Sequence, residues 1–164
     1  MANTSTPTFS FKVKNVTKKL LSAIPERSRV IISHRFGLDK STEKMTLEAI
    51  GENYDITRER VRQIEANSIV TIRKSQVFKE ESKVFDELAL YVKKIGGIVA
   101  EHDLLNHLSK DPSTQNHYHF LLIIGDQFKK EKETEEFHHR WHVDSDLSKK
   151  IHDALKKLYT NLDD

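Results

Sequence analysis

Apolar residues recur at helical spacing through the first half of the chain, and turn-forming residues separate the predicted helices. The apolar faces of the first two helices are made of Val16, Leu20 and Leu21, and of Val30, Ile31 and Ile32. Pro25 separates these helices, because proline breaks a continuing helix. Gly37 ends the second helix, since glycine readily takes the left-handed conformation found just past helix ends.

A third and a fourth helix follow, and each is preceded by a threonine. The hydroxyls of Thr46 and Thr57 can accept a hydrogen bond from a free backbone amide of the first turn. Asn53 and Asp55 favour a turn between these helices, because both side chains tolerate left-handed backbone. The inward stripe of the fourth helix is made of Val61, Ile64, Ser68 and Ile72. Its outward face is then made of Glu59, Arg62, Gln63 and Ala66.

The second half predicts helices mixed with short strands. The predicted helices span residues 84–95, 101–109 and 114–124, and the predicted strands span 98–100 and the two arms of a hairpin over 128–143. A last amphipathic helix contains Leu147, Ile151, Leu155, Leu158 and Leu162. This order of elements is the one expected of a winged helix.

We therefore expect a mainly α chain built of two compact modules. The expected boundaries are a mobile tail at residues 1–14, a helix-turn-helix bundle at 15–74, a linker or helix continuation at 75–83, and a winged-helix α+β domain with a β-hairpin wing at 84–164. With 164 residues in all, each module is near the lower size limit for a self-sufficient core.

Charge is divided unequally between the halves. Residues 1–80 contain 15 basic and 9 acidic side chains, whereas residues 81–164 contain 12 and 16. Polyanion binding is therefore expected of the first half. There is no cysteine, which excludes disulfides and thiolate metal sites. No apolar run approaches the roughly 18 residues that a bilayer span needs, so we expect a cytoplasmic protein without a membrane partner.

The start of the fourth helix carries the candidate chemistry. Arginine can donate two hydrogen bonds to guanine, glutamine can pair with adenine, and glutamate can accept from the amino group of cytosine. The outward residues from Arg58 to Gln63 offer these groups at the opening of a capped helix. A solvated helix face with ion pairs is the alternative interpretation of the same residues.

Four motifs together resemble region four of primary bacterial sigma factors. They are Ile24-Pro25-Glu26-Arg27, Arg35-Phe36-Gly37-Leu38, Thr46 to Gly51, and Thr57 to Ala66. The resemblance implies a module that reads the promoter element near minus thirty-five and touches the flap of the RNA polymerase beta subunit with another surface. It further implies base contacts by Arg58, Glu59, Arg62 and Gln63, and phosphate contacts by Thr57 and Arg60.

The resemblance has limits that shape the functional prediction. Asn67-Ser68-Ile69 replaces the usual Lys-Ala-Leu, Asp55 stands where many members have glycine, and no region-two or region-three sequence is present. We expect a sigma-like or stand-alone transcription regulator, or a piece of a longer polypeptide, that binds double-stranded promoter DNA together with RNA polymerase. The alternative is an interaction module that binds the beta flap or an anti-sigma partner without reading bases.

An enzyme is not expected. The sequence has no glycine-rich phosphate loop and no nucleophile with a partnered base at a known spacing. No cofactor and no small-molecule substrate are predicted.

The second half more loosely resembles HARE-type winged helices. The residues that carry this resemblance are Ile95 to Ile98, Leu104-Leu105, and Phe137 through Trp141. The helix over 114–124 has no lysine or arginine, so any DNA contact would come from the wing. The candidate wing contacts are Lys129, Lys130, Lys132 and Arg140. We favour a protein-contact or auxiliary role.

Histidines and Trp141 have both a functional and a structural interpretation. His117-x-His119 and His138-His139-x-x-His142 have short spacings that invite a zinc site. Strand alternation, however, puts His138 and His139 on opposite faces, and no carboxylate or thiolate completes the set, so no metal is expected. Trp141 can stack on a base or lie in the core. We favour the core, because an aromatic side chain that faces inward in a wing strand usually belongs to it.

Overall fold

The computed structural model describes residues 6–131, 140–143, 153–154 and 156–158, and this part is mainly helical with a small antiparallel sheet. Its helices are α1 (Val13–Leu21), α2 (Glu26–Phe36), α3 (Leu47–Tyr54), α4 (Arg58–Lys74), α5 (Gln76–Glu80), α6 (Ser82–Lys94), α7 (Glu101–Leu108) and α8 (Pro112–Ile124). Its strands are β1 (Ile98–Ala100), β2 (Lys129–Glu131) and β3 (Arg140–His142). The predicted fold class is confirmed.

The sheet has the order β1-β3-β2, with both pairs antiparallel. Trp141 in the central strand lies between Val99 and Lys130 and is 3% exposed, which favours its interpretation as a core residue. The predicted hairpin turn, Phe137 and most of the predicted last helix lie outside the described residues. In the described part of the chain, none of the helices combines the length and apolar character that crossing a membrane requires.

The segment over residues 75–83 is a packed part of the fold. Ser75 adopts an extended conformation that ends α4, and its hydroxyl accepts a hydrogen bond from the Phe78 amide at 3.2 Å to begin α5. The Phe78 ring lies 5.0 Å from that of Phe85, centroid to centroid. Neither a free linker nor a continuation of α4 describes this segment, because the serine conformation interrupts the helix and the phenylalanine packs against α6.

One hydrophobic core extends through both halves of the chain. The Phe120 ring of α8 is fully buried and lies 5.3 Å from the ring of Phe36 in α2. Members of this core without exposed surface are Leu20, Ile32, Ile72, Leu88, Val92, Leu104, Phe120, Leu121, Leu122 and Ile124. The division into two domains stays a prediction, since the cores of the two halves are continuous.

Part of the predicted mobile tail packs against the second half. Phe9 stacks on Phe11 at 5.0 Å and meets the ring of Tyr91 edge-on at 5.7 Å. The amide of Ser10 donates to Oε1 of Glu87 at 2.8 Å. Aromatic burial and this hydrogen bond explain why the segment just before α1 lies along α6.

Glu101, the first residue of α7, connects the sheet to α8. Its Oε1 accepts a hydrogen bond from Nε1 of Trp141 at 3.0 Å and lies 3.2 Å from both Nζ of Lys130 and Nε2 of His119. Nδ1 of the same imidazole lies 3.2 Å from Nζ of Lys44, in the loop before α3. The contacts with His119 and then Trp141 hold the pKa of Glu101 well below its usual range, whereas burial lowers the pKa of His119.

Acidification is expected to destabilise the fold through these two groups. The pKa of His119 is lowered on folding, so stability declines once the pH falls below the ordinary histidine value of 6.5 and the unfolded chain binds the proton. The pKa of Glu101 is also lowered, so its contribution is present above the ordinary glutamate value of 4.5 and is lost below it. Urea unfolding followed by Trp141 fluorescence between pH 7 and pH 3 measures both steps.

The variant Glu101→Gln separates the contribution of Glu101 to acid destabilisation from that of His119. Loss of its charge-assisted hydrogen bonds should lower the free energy of unfolding at pH 7 by about 1.5–3 kcal/mol. The variant should also show a smaller loss of stability below pH 4.5 than the wild type does. Glu80→Gln, at an exposed position in α5, is the control. An acid response of Glu101→Gln identical to that of the wild type would contradict this role.

Candidate nucleic-acid interface

Helices α3 and α4 form a helix-turn-helix whose ends are fixed by short-range hydrogen bonds. The Thr46 hydroxyl accepts from the Ala49 amide at 3.1 Å, and the Thr57 hydroxyl accepts from the Arg60 amide at 3.0 Å. Between the helices Asp55 takes a left-handed conformation, with φ of 54° and ψ of 47°. The predicted threonine caps and the predicted turn are confirmed.

Gly51 allows the turn to lie against α3. The Ile56 amide donates to the Gly51 carbonyl at 3.0 Å, and a Cβ at Gly51 would lie 2.7 Å from the Ile56 carbonyl oxygen. Because that neighbour is backbone, a side chain at position 51 would displace the turn. The start of α4 would move with it.

A small core of its own supports the helix-turn-helix. Ile31 of α2, Ile50 of α3 and Val61 of α4 have no exposed surface. Partly buried residues packed around them are Met45, Leu47, Tyr54, Ile56 and Ile64. Packing of this kind fixes the inward face of α4 and so determines which of its side chains face outward.

The first two turns of α4 present their polar face to solvent. The exposed residues here are Thr57, Arg58, Glu59, Arg60, Arg62 and Gln63. The side chains of Glu59 and Arg62 are 60% and 57% exposed. The six side chains that the resemblance to region four assigns to bases or phosphates thus lie together at one open helix end, and their contact with DNA stays a prediction.

Pairs of these side chains contact one another. Nε and Nη2 of Arg62 donate to the two carboxylate oxygens of Glu59 at 2.9 and 2.6 Å, and Nη1 of Arg60 donates to Oε1 of Gln63 at 3.4 Å. The hydrogen bond from Arg62 lowers the pKa of Glu59 and raises that of Arg62. Both members stay charged at neutral pH, so the helix end offers an anionic acceptor beside cationic donors.

Comparison with known proteins identifies a family match in this part of the chain. Residues 20–74 match the family model of sigma-70, region 4. Over 58 residues the chain is 43% identical to the RNA polymerase sigma factor RpoD of Neisseria gonorrhoeae. That alignment covers 35% of this chain and 9% of the relative, so the chain spans a small part of the relative's length.

The region 4 segment, as we call residues 20–74, contains α2, α3, α4 and all the predicted base-contacting residues. The predicted resemblance of the first half to region four is confirmed. The second half lies outside the match, so its resemblance to HARE-type winged helices stays a prediction.

Arg35 has a positioning role in the region 4 segment that its motif did not indicate. Its Nη1 donates to the Met45 carbonyl at 3.2 Å, and its Nε donates to Oε2 of Glu65 at 3.4 Å. These contacts tie α2 to the loop before α3 and to the middle of α4. The partners lie 10 and 30 residues away in the chain, beyond the reach of a local pattern.

The predicted wing contacts are in different environments. Lys129 and Lys130 are both exposed, and Nζ of Lys130 lies 3.2 Å from Oε1 of Glu101 and 5.7 Å from the Trp141 ring centroid. Arg140 is 8% exposed within the central strand. Lys132 lies outside the described residues. The exposed candidates in the described part are therefore Lys129 and Lys130, and DNA contact by the wing stays a prediction.

Histidines of the described part form no metal cluster. His117 and His119 are each 8% exposed on α8, and no group of three histidine or acidic residues able to hold a metal is found in the described ranges. His138 and His139 lie outside those ranges. Burial gives His117 and His119 a packing role, and the His119 ring lies near both Phe36 of the first half and Trp141 of the second.

Thr57→Ala is expected to lower the free energy of unfolding by about 1 kcal/mol. The variant removes the hydroxyl that accepts from the Arg60 amide at the start of α4. Urea unfolding followed by circular dichroism measures the change. Thr57→Ser retains the hydroxyl and should stay close to the wild type. Equal stability of the alanine and serine variants would show that the cap contributes nothing.

Proposed function

We propose that this chain binds double-stranded promoter DNA sequence-specifically in bacterial transcription, at an element of the minus-thirty-five type. The observation that carries the proposal is the exposed polar face at the capped start of α4, within a segment that matches sigma-70 region 4. The major groove of B-DNA is wide enough to admit a helix. Entry of this helix end would bring the polar face to the base edges.

Each side chain of the face has a chemical role in this proposal. Arg58 and Arg62 donate to guanine, Gln63 pairs with adenine, and Glu59 accepts from cytosine. Thr57 and Arg60 lie within the first turn of the helix and are assigned to phosphates, because free amides and the helix dipole there favour a negative charge. Base contacts supply specificity and phosphate contacts fix the register.

The Glu59–Arg62 pair is compatible with this role. Exposed ion pairs contribute little to stability, because both charges are well hydrated and the side chains lose entropy when held together. Little stability is therefore lost when the Glu59–Arg62 pair opens. Bidentate contacts with matching bases can replace it at a net gain. When other bases lie opposite the helix end, Glu59 and Arg62 would stay paired with each other.

Selection of bound sequences from a pool of random duplexes tests the proposal directly. The selected duplex and a scrambled duplex of equal composition are then titrated with the full chain at two salt concentrations. We expect tighter binding to the selected duplex, and affinity for both that falls as salt rises because phosphate contacts release counterions. Equal affinity for all duplexes would overturn sequence-specific reading.

A groove in the first half favours a second candidate function. It lies between α1 and α2 beside His117 of α8 and has a volume of about 520 Å³. Its lining combines the apolar Leu21, Val30 and Leu38 with polar and charged side chains such as Lys14 and Glu26. Val30 is 38% exposed. A groove that combines apolar and charged side chains suits an amphipathic protein segment. In this alternative the chain docks on the beta flap of RNA polymerase or on an anti-sigma partner without reading bases.

Pull-down with RNA polymerase core, with and without promoter DNA, separates the two candidates. Capture that is independent of DNA and lost in Val30→Glu supports docking through the groove. Capture that requires DNA and survives Val30→Glu supports base reading alone.

A further inference from the structure

Helix α8 occupies the place of the recognition helix in the winged part, between α7 and the hairpin, yet it faces inward. It contacts α1, α2 and α4. Its buried residues are His117, Tyr118, His119, Phe120, Leu121, Leu122 and Ile124. It carries no lysine or arginine. To enter a DNA groove, α8 would have to leave the shared core and expose these side chains, so its role lies within the chain.

Asn116 attaches the first half of α8 to the loop that precedes α3. Its Nδ2 donates to the carbonyl oxygens of Gly37 at 3.0 Å and Thr42 at 2.9 Å. Both loop residues have left-handed backbone, with φ of 67° and 56°. A Cβ at Gly37 would lie 2.7 Å from the Asn116 nitrogen. The absence of a side chain at position 37 therefore permits this close contact.

A second contact reaches the end of the same loop. Nζ of Lys44 lies 3.2 Å from Nδ1 of His119, whose ring is packed 6.0 Å from that of Phe36. Lys44 lies two residues before Thr46, the cap of α3. The loop is thus held by α8 near both of its ends.

Arg73 attaches α4 to the other end of α8. Its Nε and Nη2 donate to the carbonyl oxygens of Ile124 and Ile123, each at 2.8 Å. The last carbonyls of a helix have no partner within that helix, so this guanidinium satisfies two of them. α8 therefore bridges the loop before α3 and the far end of α4.

We propose that α8 holds the helix-turn-helix in a fixed arrangement, with Asn116 and Arg73 as the positioning residues, and so strengthens DNA binding by the region 4 segment. The effect on DNA rests on the function proposed above. A binding surface that is ordered before association loses less conformational entropy on binding. The contact of α8 with the first half supplies that order, because the core of the helix-turn-helix alone consists of three fully buried side chains.

Asn116→Ala tests the role of α8, and Gln115→Ala is its matched control. Gln115 is the neighbouring residue and also makes two hydrogen bonds, to Oδ1 of Asn106 and to the Ser109 carbonyl, but both partners belong to the second half. The Met45 amide, in the loop before α3, donates to the His34 carbonyl at 2.9 Å. Hydrogen exchange of the full chain, well below its unfolding temperature, should be faster at this amide in Asn116→Ala but not in Gln115→Ala. Affinity for the selected duplex should fall roughly fivefold in Asn116→Ala and stay near the wild type in Gln115→Ala.

Arg73→Lys is a second variant, which keeps the positive charge but cannot donate to both carbonyl oxygens at once. It should weaken binding to the selected duplex and increase exchange in the last turn of α8. If Asn116→Ala and Arg73→Lys both exchange and bind like Gln115→Ala, the holding role of α8 is wrong. If amide exchange is faster in Asn116→Ala and Arg73→Lys but their affinity for the selected duplex is unchanged, α8 does not strengthen DNA binding. If the wild type prefers no duplex, the proposed function fails, while the exchange measurements still decide whether α8 holds the loop.

Discussion

Replacement of Arg62 and Gln63 together by alanine is expected to reduce the preference for the selected duplex over a scrambled one by at least about tenfold. Both side chains are exposed on α4, and each can make a bidentate contact with a base edge. Removal of these contacts leaves the phosphate contacts, so weaker and less selective binding should remain. Fluorescence anisotropy titrations of the full chain with the two duplexes measure the change.

The double variant Lys74→Ala with Gln76→Ala is the matched control. It also removes one positive charge and one amide from exposed positions, but at the last residue of α4 and the first residue of α5. The control should retain the preference for the selected duplex. Loss of preference in the control as large as that in Arg62→Ala with Gln63→Ala would show that overall charge, and not base contact, determines the binding.

Phe120→Ala is expected to lower the free energy of unfolding of the whole chain by about 3–5 kcal/mol. The ring has no exposed surface, and it packs against Phe36 across the boundary between the halves. A cavity at this place removes contacts from both halves at once. Circular dichroism of the helices and fluorescence of Trp141 should therefore shift together in thermal unfolding.

Leu90→Ala is the control for this prediction, since Leu90 is 68% exposed on α6. Its expected effect is below about 0.5 kcal/mol. Two separate transitions in the wild type, with Trp141 fluorescence following one of them alone, would show that the halves unfold independently. The core shared by the halves would then contribute little to stability.

The parts of the fold that the sequence predicted correctly depend on near neighbours. The caps at Thr46 and Thr57 bond to amides three residues ahead, and the left-handed residues Gly37 and Asp55 act within their own turns. Helical spacing placed the exposed face of α4 correctly because Val61 is buried on the opposite side. Near-neighbour patterns were therefore sufficient to predict which side chains lie on the exposed face of α4.

The contacts that the sequence did not predict join distant residues. Asn116 and Gly37 lie 79 residues apart, and Arg73 and Ile124 lie 51 residues apart. The apolar run at the end of α8 predicted burial but not the surface against which it packs. Two histidines in the same helix, His117 and His119, made its apolar pattern less recognisable, since they are polar and yet buried.

The contact between Phe36 and Phe120 restricts how this chain can change over generations. Protein interiors are close-packed, so a larger or smaller side chain on one side requires a compensating change on the other. Neither half can accumulate substitutions in its buried faces without regard to the other. The region 4 segment and the part that follows it are thus expected to diverge as one inherited unit, with their facing residues varying in concert.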